Sequence, residues 1–167
     1  MPHLRDGFAL ARWITGNAAD AEDVVQEACL RAYRGIGGYA GGNPRAWFLT
    51  IVRNTSYTWL RKNRPAEVIS MDDVETMESS DESLGRAADS WAATPEAALM
   101  AKADAARLQA AMMDLPPEFR EALVLREIHG LGYREIAVVT GAPVGTVMSR
   151  LARARRRLLA ILAAEAA

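Results

Sequence analysis

The chain has 167 residues, enough for one ordinary domain or two small ones, and 50% of them are hydrophobic while only 7% are aromatic, a balance that suits aliphatic, alanine-rich helices better than a β-sandwich. Cys29 is the sole cysteine, which excludes an internal disulfide and a cysteine-cluster zinc site, and the only histidines, His3 and His129, lie far apart, so neither metal nor cofactor is expected. No apolar run of about 18 residues and no N-terminal apolar h-region occurs, so a soluble, cytoplasmic, all-α chain with no membrane insertion is expected.

The formal net charge of −1 conceals a block pattern. Residues 1–65 carry nine Arg/Lys against five Asp/Glu, residues 66–94 carry one against eight, and residues 143–162 carry five against none. Local fields and not totals steer a polyanion, so two basic blocks flanking an acidic one remain compatible with nucleic acid.

Taken in chain order, LRDGFALARWITGN opens the chain as a short first helix. DAEDVVQEACLRAYR (residues 20–34) then places Val25, Ala28 and Ala32 on one helical face and Asp20, Asp23, Glu27 and Arg34 on the other. After the glycine-rich loop GGYAGGNP, a helix is expected over PRAWFLTIVRNTSYTWLRKNR, with Phe48, Ile51, Val52, Thr55 and Trp59 clustered in one direction. Its opposite face carries Thr50, Arg53, Asn54, Tyr57 and Arg61, with Trp47 on the shoulder; arginines, an amide and aromatics together suit phosphates and unstacked bases. Taken alone, Trp47 fits a core position at least as well.

Residues 66–94 mix Ser, Asp and Glu with no sustained helical period and read as an acidic linker. Thr94-Pro95-Glu96 is an N-cap followed by proline at the first helical position, and the helix it opens stops at LPP, residues 115–117. In the next segment, EFREALVLREIHGLG, Phe119, Leu123 and Ile128 suit a core face. YREIAVVT, a turn with Gly141 and Pro143, and VGTVMSRLARARRRLL then give helix, tight turn, helix, the signature of a helix-turn-helix.

If the last helix opens at Val144 or Gly145, then Val147, Leu151, Ala154, Leu158 and Ile161 fall within about 80° of one another and form the core stripe. Ser149, Ala152, Arg153 and Arg156 lie opposite, with Thr146 and Met148 on the shoulders and Arg150 and Arg157 nearer Thr146. The early part of such a helix suits a major groove, where arginine can donate bidentately to guanine. The alternative is a solvated helix end, where cations are favoured by the dipole; that explains Arg155, Arg156 and Arg157 better than Arg150 and Arg153, which come early.

With these residues in place the chain resembles the extracytoplasmic-function sigma factors, two-domain bacterial initiation subunits of the sigma-70 family, over nearly its whole length. DAEDVVQEACLRAYR is similar to region 2.2, GGNPRAWFLTIVRN to regions 2.3 and 2.4, and LPPEFREALVLREIHGLGYREIA with GAPVGTVMSRLARAR to region 4. The resemblance implies two small helical domains, residues 1–65 and 95–167, joined by the acidic linker of residues 66–94. It implies an alternative sigma factor and no enzyme, with RNA polymerase core (the β′ coiled coil and β flap), promoter DNA and an anti-sigma factor as partners.

Residue by residue, it places Asp20, Asp23, Gln26 and Glu27 on the polymerase-docking helix, although a solvated polar face would look the same. It places Tyr39, Trp47, Arg53, Asn54, Tyr57 and Arg61 at the −10 element, where an extruded base is captured. Thr146, Met148, Ser149, Arg150, Arg153, Arg156 and Arg157 fall at the −35 element, and Met148 stands where relatives often carry Lys or Arg. The linker is expected to run through the polymerase channels ahead of RNA, or to serve as a tether. The competing reading is a stand-alone helix-turn-helix regulator, which would need neither the docking motif nor the aromatic and amide face. For an enzyme the sequence offers no Ser/His/Asp arrangement, no phosphate loop with its lysine and no paired metal ligands.

Overall fold

The computed structural model describes residues 2–66 and 95–166; the acidic linker from residue 67 and its Thr94 cap lie outside the described residues. All regular structure among the described residues is helical: α1 Leu4–Thr15, α2 Ala18–Gly35, a 3-10 turn Ile36–Gly38, α3 Pro44–Asn63, α4 Pro95–Met113, α5 Pro117–Leu123, a π-helical turn Val124–Ile128, α6 Tyr133–Thr140 and α7 Val144–Ala166.

Helices α1, α2 and α3 pack mutually into a three-helix unit. Its centre is Leu10, Ile14, Val24, Ala28, Leu49, Val52 and Leu60, all at most 1% exposed, and full burial of each large aliphatic contributes about 1.5–3 kcal/mol. The expected face of α2 is the buried one, Val25, Ala28 and Ala32 included. Gly7 marks the closest approach of α1 to α3, because a Cβ there would stand 2.6 Å from Cε1 of Phe48. Asn17 caps α2 by accepting from the Asp20 amide at 2.8 Å, and Asn43 caps α3 by accepting from the Arg45 amide at 3.0 Å, with Pro44 at the first turn.

The second unit is built on α5, α6 and α7, with α4 against α7. Val147, Leu151 and Ala154 of the expected stripe are buried, and Leu158 and Ile161 pack on the same core while half-buried. Thr140 ends α6, Gly141 turns the chain at φ 69°, a left-handed conformation that a side chain disfavours, and α7 opens at Val144. The helix-turn-helix is thus present as expected.

One core expectation is corrected. Phe119 and Leu123 are buried, but Ile128 is 52% exposed. The π turn is the reason: the His129 amide bonds back five residues to the Val124 carbonyl at 3.0 Å, so the register gains a residue and His129 takes the inward place.

The two units are packed on each other, α3 against α6 and α1 against α5. Buried Arg120 donates to the Trp13 carbonyl at 2.7 Å, Arg45 donates to Asp6 at 2.8 Å beside His129, and Asn43 donates to Glu135 at 3.2 Å. No described helix is long and apolar enough to cross a membrane.

Candidate nucleic-acid and docking faces

On α2, Asp23, Gln26 and Glu27 are exposed, with Glu27 paired to Arg31 at 3.0 Å one turn on. Asp20 differs, because its carboxylate accepts from Arg64 at 3.1 Å and from the Asn17 amide and so ties the helix start to the end of α3. Beyond the acids, Leu30 and Tyr33 are 51% and 80% exposed. They follow Gln26 at spacings of four and seven, on the same face, and sequence reasoning passed over them. Their position outside the Val25/Ala28/Ala32 stripe was the available signal.

At the start of α3, the rings of Tyr39 and Trp47 lie with centroids 5.0 Å apart, tilted, and the Tyr39 hydroxyl donates to the Gly42 carbonyl at 2.7 Å. Both side chains are half-buried, so the loop is fixed by an aromatic pair while part of each ring faces out. Further along, Asn54 and Arg61 are exposed. Arg53 and Tyr57, expected beside them, are held inward by a residue that sequence reasoning missed, Glu121 of α5. Arg53 Nε donates to Glu121 Oε1 at 2.6 Å, the Tyr57 hydroxyl donates to Oε2 at 2.9 Å, and the Arg53 guanidinium lies 4.4 Å from the Tyr57 ring centroid.

Glu121 is 1% exposed and Tyr57 4%. Burial pushes the Glu121 carboxyl up from its ordinary value, against the lowering pull of Arg53. Burial works to lower the Arg53 pKa, yet the neighbouring carboxylate outweighs it and leaves that pKa raised; burial also raises Tyr57 well above its ordinary value, which keeps its hydroxyl a donor. Burial likewise lowers His129, against the pull of Asp6 and with the help of Arg45. A sequence signal for Glu121 existed: it falls at the i+4 position between Pro117 and Leu125, both buried, an acid on an apolar stripe.

Along α7, Thr146 and Arg153 are half-buried while Met148, Ser149 and Arg156 are exposed. Arg150 sits 3.5 Å from Glu118, Arg155 pairs with Glu127 at 3.0 Å, and the Arg157 guanidinium lies 5.1 Å from the Phe119 ring centroid. The basic run is therefore partly engaged within its own unit, by ion pairs at Arg150 and Arg155 and by the ring contact of exposed Arg157. Among the described residues no group of three His, Cys, Asp or Glu side chains is placed to hold a metal ion.

Comparison with known proteins fits both units. Residues 1–66 match the model for Sigma-70 region 2 and residues 105–158 that for Sigma-70 region 4. The chain is 36% identical over 146 residues to the RNA polymerase sigma-H factor of Pseudomonas aeruginosa, covering 85% of this chain and 72% of that one. It is 35% identical to the ECF RNA polymerase sigma factor EcfG of Rhodopseudomonas palustris, covering 97% and 80%. It is 33% identical to the ECF RNA polymerase sigma factor SigE of Mycolicibacterium smegmatis, covering 96% of this chain but 59% of that relative's length. Among solved structures, the sigma factor RpoE in complex with the anti-sigma factor NepR from Bartonella quintana matches with a TM-score of 0.67 at 29% identity, over 96% of this chain and 92% of that one.

The helical fold of the described residues and the two family matches together place this chain in the sigma-70 class. The chain belongs to the ECF sigma factors, the family that directs bacterial RNA polymerase core to promoters.

Proposed function

We propose that this chain carries core polymerase to a two-part promoter, with residues 1–65 docking on core and opening the −10 element, residues 95–167 reading the −35 element, and residues 66–94 linking them. What carries the reading is the presence in one chain of two chemically different faces: an aromatic, amide and arginine face on α3 suited to unstacked bases, and a helix-turn-helix suited to duplex. A stand-alone regulator needs only the second.

Asp23, Gln26 and Glu27, joined by Leu30 and Tyr33, form a polar and apolar face matched to a basic, amphipathic partner such as the β′ coiled coil, while the second unit would meet the β flap. Tyr39 and Trp47 form a preset aromatic pocket for an extruded base, whose flipping costs a few kcal/mol, and Asn54 and Arg61 track the strand. Arg53 and Tyr57 join them only once Glu121 withdraws, so promoter opening follows separation of the two units. The closed arrangement suits capture by an anti-sigma factor, and the Bartonella relative was solved with one. Function is carried without catalysis or cofactor, in the cytoplasm with polymerase.

The test is a gel shift. Core plus this chain should hold a promoter specifically where the chain alone holds it weakly. Strong, specific duplex binding by the isolated chain would establish the stand-alone regulator instead.

A further inference from the structure

The first two turns of α7 present an apolar surface in the middle of a basic helix. Met148 is 51% exposed and Val144 37%, and at a spacing of four they stand one above the other on the same face. Their polar neighbours are otherwise engaged. The Ser149 hydroxyl donates to the Gly145 carbonyl at 2.9 Å, Arg150 is drawn to Glu118 at 3.5 Å, and Thr146 is half-buried. The core stripe through Val147 and Leu151 runs alongside them, and Met148 stands on its shoulder with about half of its surface outside that packing.

An exposed methionine and valine on the groove-facing start of a helix-turn-helix, with Arg150, Arg153 and Arg156 following, must meet the edges of base pairs if the helix enters a major groove. The one methyl that groove offers is the C5-methyl of thymine; the cytosine C5–H is a smaller apolar edge, and the remaining features are hydrogen-bond donors and acceptors, which these side chains would desolvate without replacing. We propose that Met148, supported by Val144, is a specificity-determining residue that reads a thymine methyl within the upstream element. Arg150 and Arg156 supply attraction to phosphate, and the thioether, flexible and polarizable, fits itself over the methyl. This rests on the sigma-factor reading above and adds to it the chemical class of one base contact.

The experiment removes that methyl. With core polymerase and the full chain, a promoter is selected from a library randomised upstream, and each upstream thymine on either strand is replaced in turn by deoxyuracil, which keeps every hydrogen bond and lacks only the methyl. One position should lose about three- to fivefold in holoenzyme binding, the amount that burying a methyl group is worth. Met148→Ala should remove that thymine-to-uracil difference without lowering the melting temperature, since the residue is exposed, and Met148→Leu should restore it.

Binding and initiation unaffected by uracil at every upstream position, or a uracil effect that survives in Met148→Ala, would overturn the thymine contact while leaving the sigma-factor reading intact. Failure of holoenzyme to initiate at any library member would overturn both.

Discussion

Burial of Glu121 between Arg53 and Tyr57 gives one carboxylate two charge-assisted or strongly polar bonds, and it withholds from solvent two side chains whose chemistry suits DNA. A buried ion pair is weak evidence for net stability, because desolvation offsets attraction, but removing one partner strands the other. Glu121→Gln keeps the shape and removes the charge, so it should weaken the closed packing by about 1–3 kcal/mol while the open form, with Arg53 in water, is untouched. Energy transfer between dyes at exposed Glu22 of α2 and Ala160 of α7 measures this: the variant should separate at lower denaturant than the parent. Separation at the same denaturant concentration would show that Glu121 holds nothing shut.

At the same scale, Arg153 and Arg157 of α7 diverge. Arg153→Ala should lower promoter binding by about 1–3 kcal/mol at particular upstream bases. Arg157→Ala should act alike on all sequences and, having lost its place over Phe119, should also lower the melting temperature. Equal, sequence-independent losses from both, in binding titrations over single-base promoter variants, would assign Arg153 to phosphate alone. The early and late arginines were already divided in sequence, but the place of Arg157 over Phe119 was not legible, because the wheel cannot see a ring thirty-eight residues away in α5.

Among elements, α1 and α3 touch so closely at Gly7 that an added methyl has no room beside Phe48 and comes within 3.1 Å of Val52. Gly7→Ala should therefore cost about 1–3 kcal/mol despite the better helix propensity of alanine, readable as a lower denaturation midpoint. An unchanged or raised midpoint would mean that α3 shifts freely.

The helices themselves were readable from period and punctuation: Pro44 and Pro117 at helix starts, Gly141 at the turn, the Val147/Leu151/Ala154 stripe. Ile128 was misplaced because a π turn adds one residue to the register, and nothing in VLREI announces that. Periodicity assumes an unbroken 3.6-residue repeat, and a single i to i−5 bond defeats it.

At the scale of the whole molecule, what sequence left unread is how the units meet. Each unit's own motif points outward from its own core, so Arg45, Asp6 and His129, which come together from three elements, carried no joint signal. That junction titrates. His129 has its folded pKa lowered by burial, against Asp6 and with Arg45, so the neutral ring is the stable form. The stabilisation is full above the ordinary imidazole value of about 6.5 and is lost as pH falls through that value toward the lower folded one. Melting followed across that interval should show stability falling on acidification, and His129→Gln should flatten that part of the profile. A slope unchanged in the variant would place its origin elsewhere.

Run-off transcription over a randomised promoter library tests most directly whether this chain turns core polymerase toward chosen promoters. Core plus this chain should yield transcripts from a subset of templates sharing an upstream and a −10 sequence, and core alone should not. If the mixture initiates at no sequence, or at the same sequences as core alone, the chain does not act as an initiation subunit.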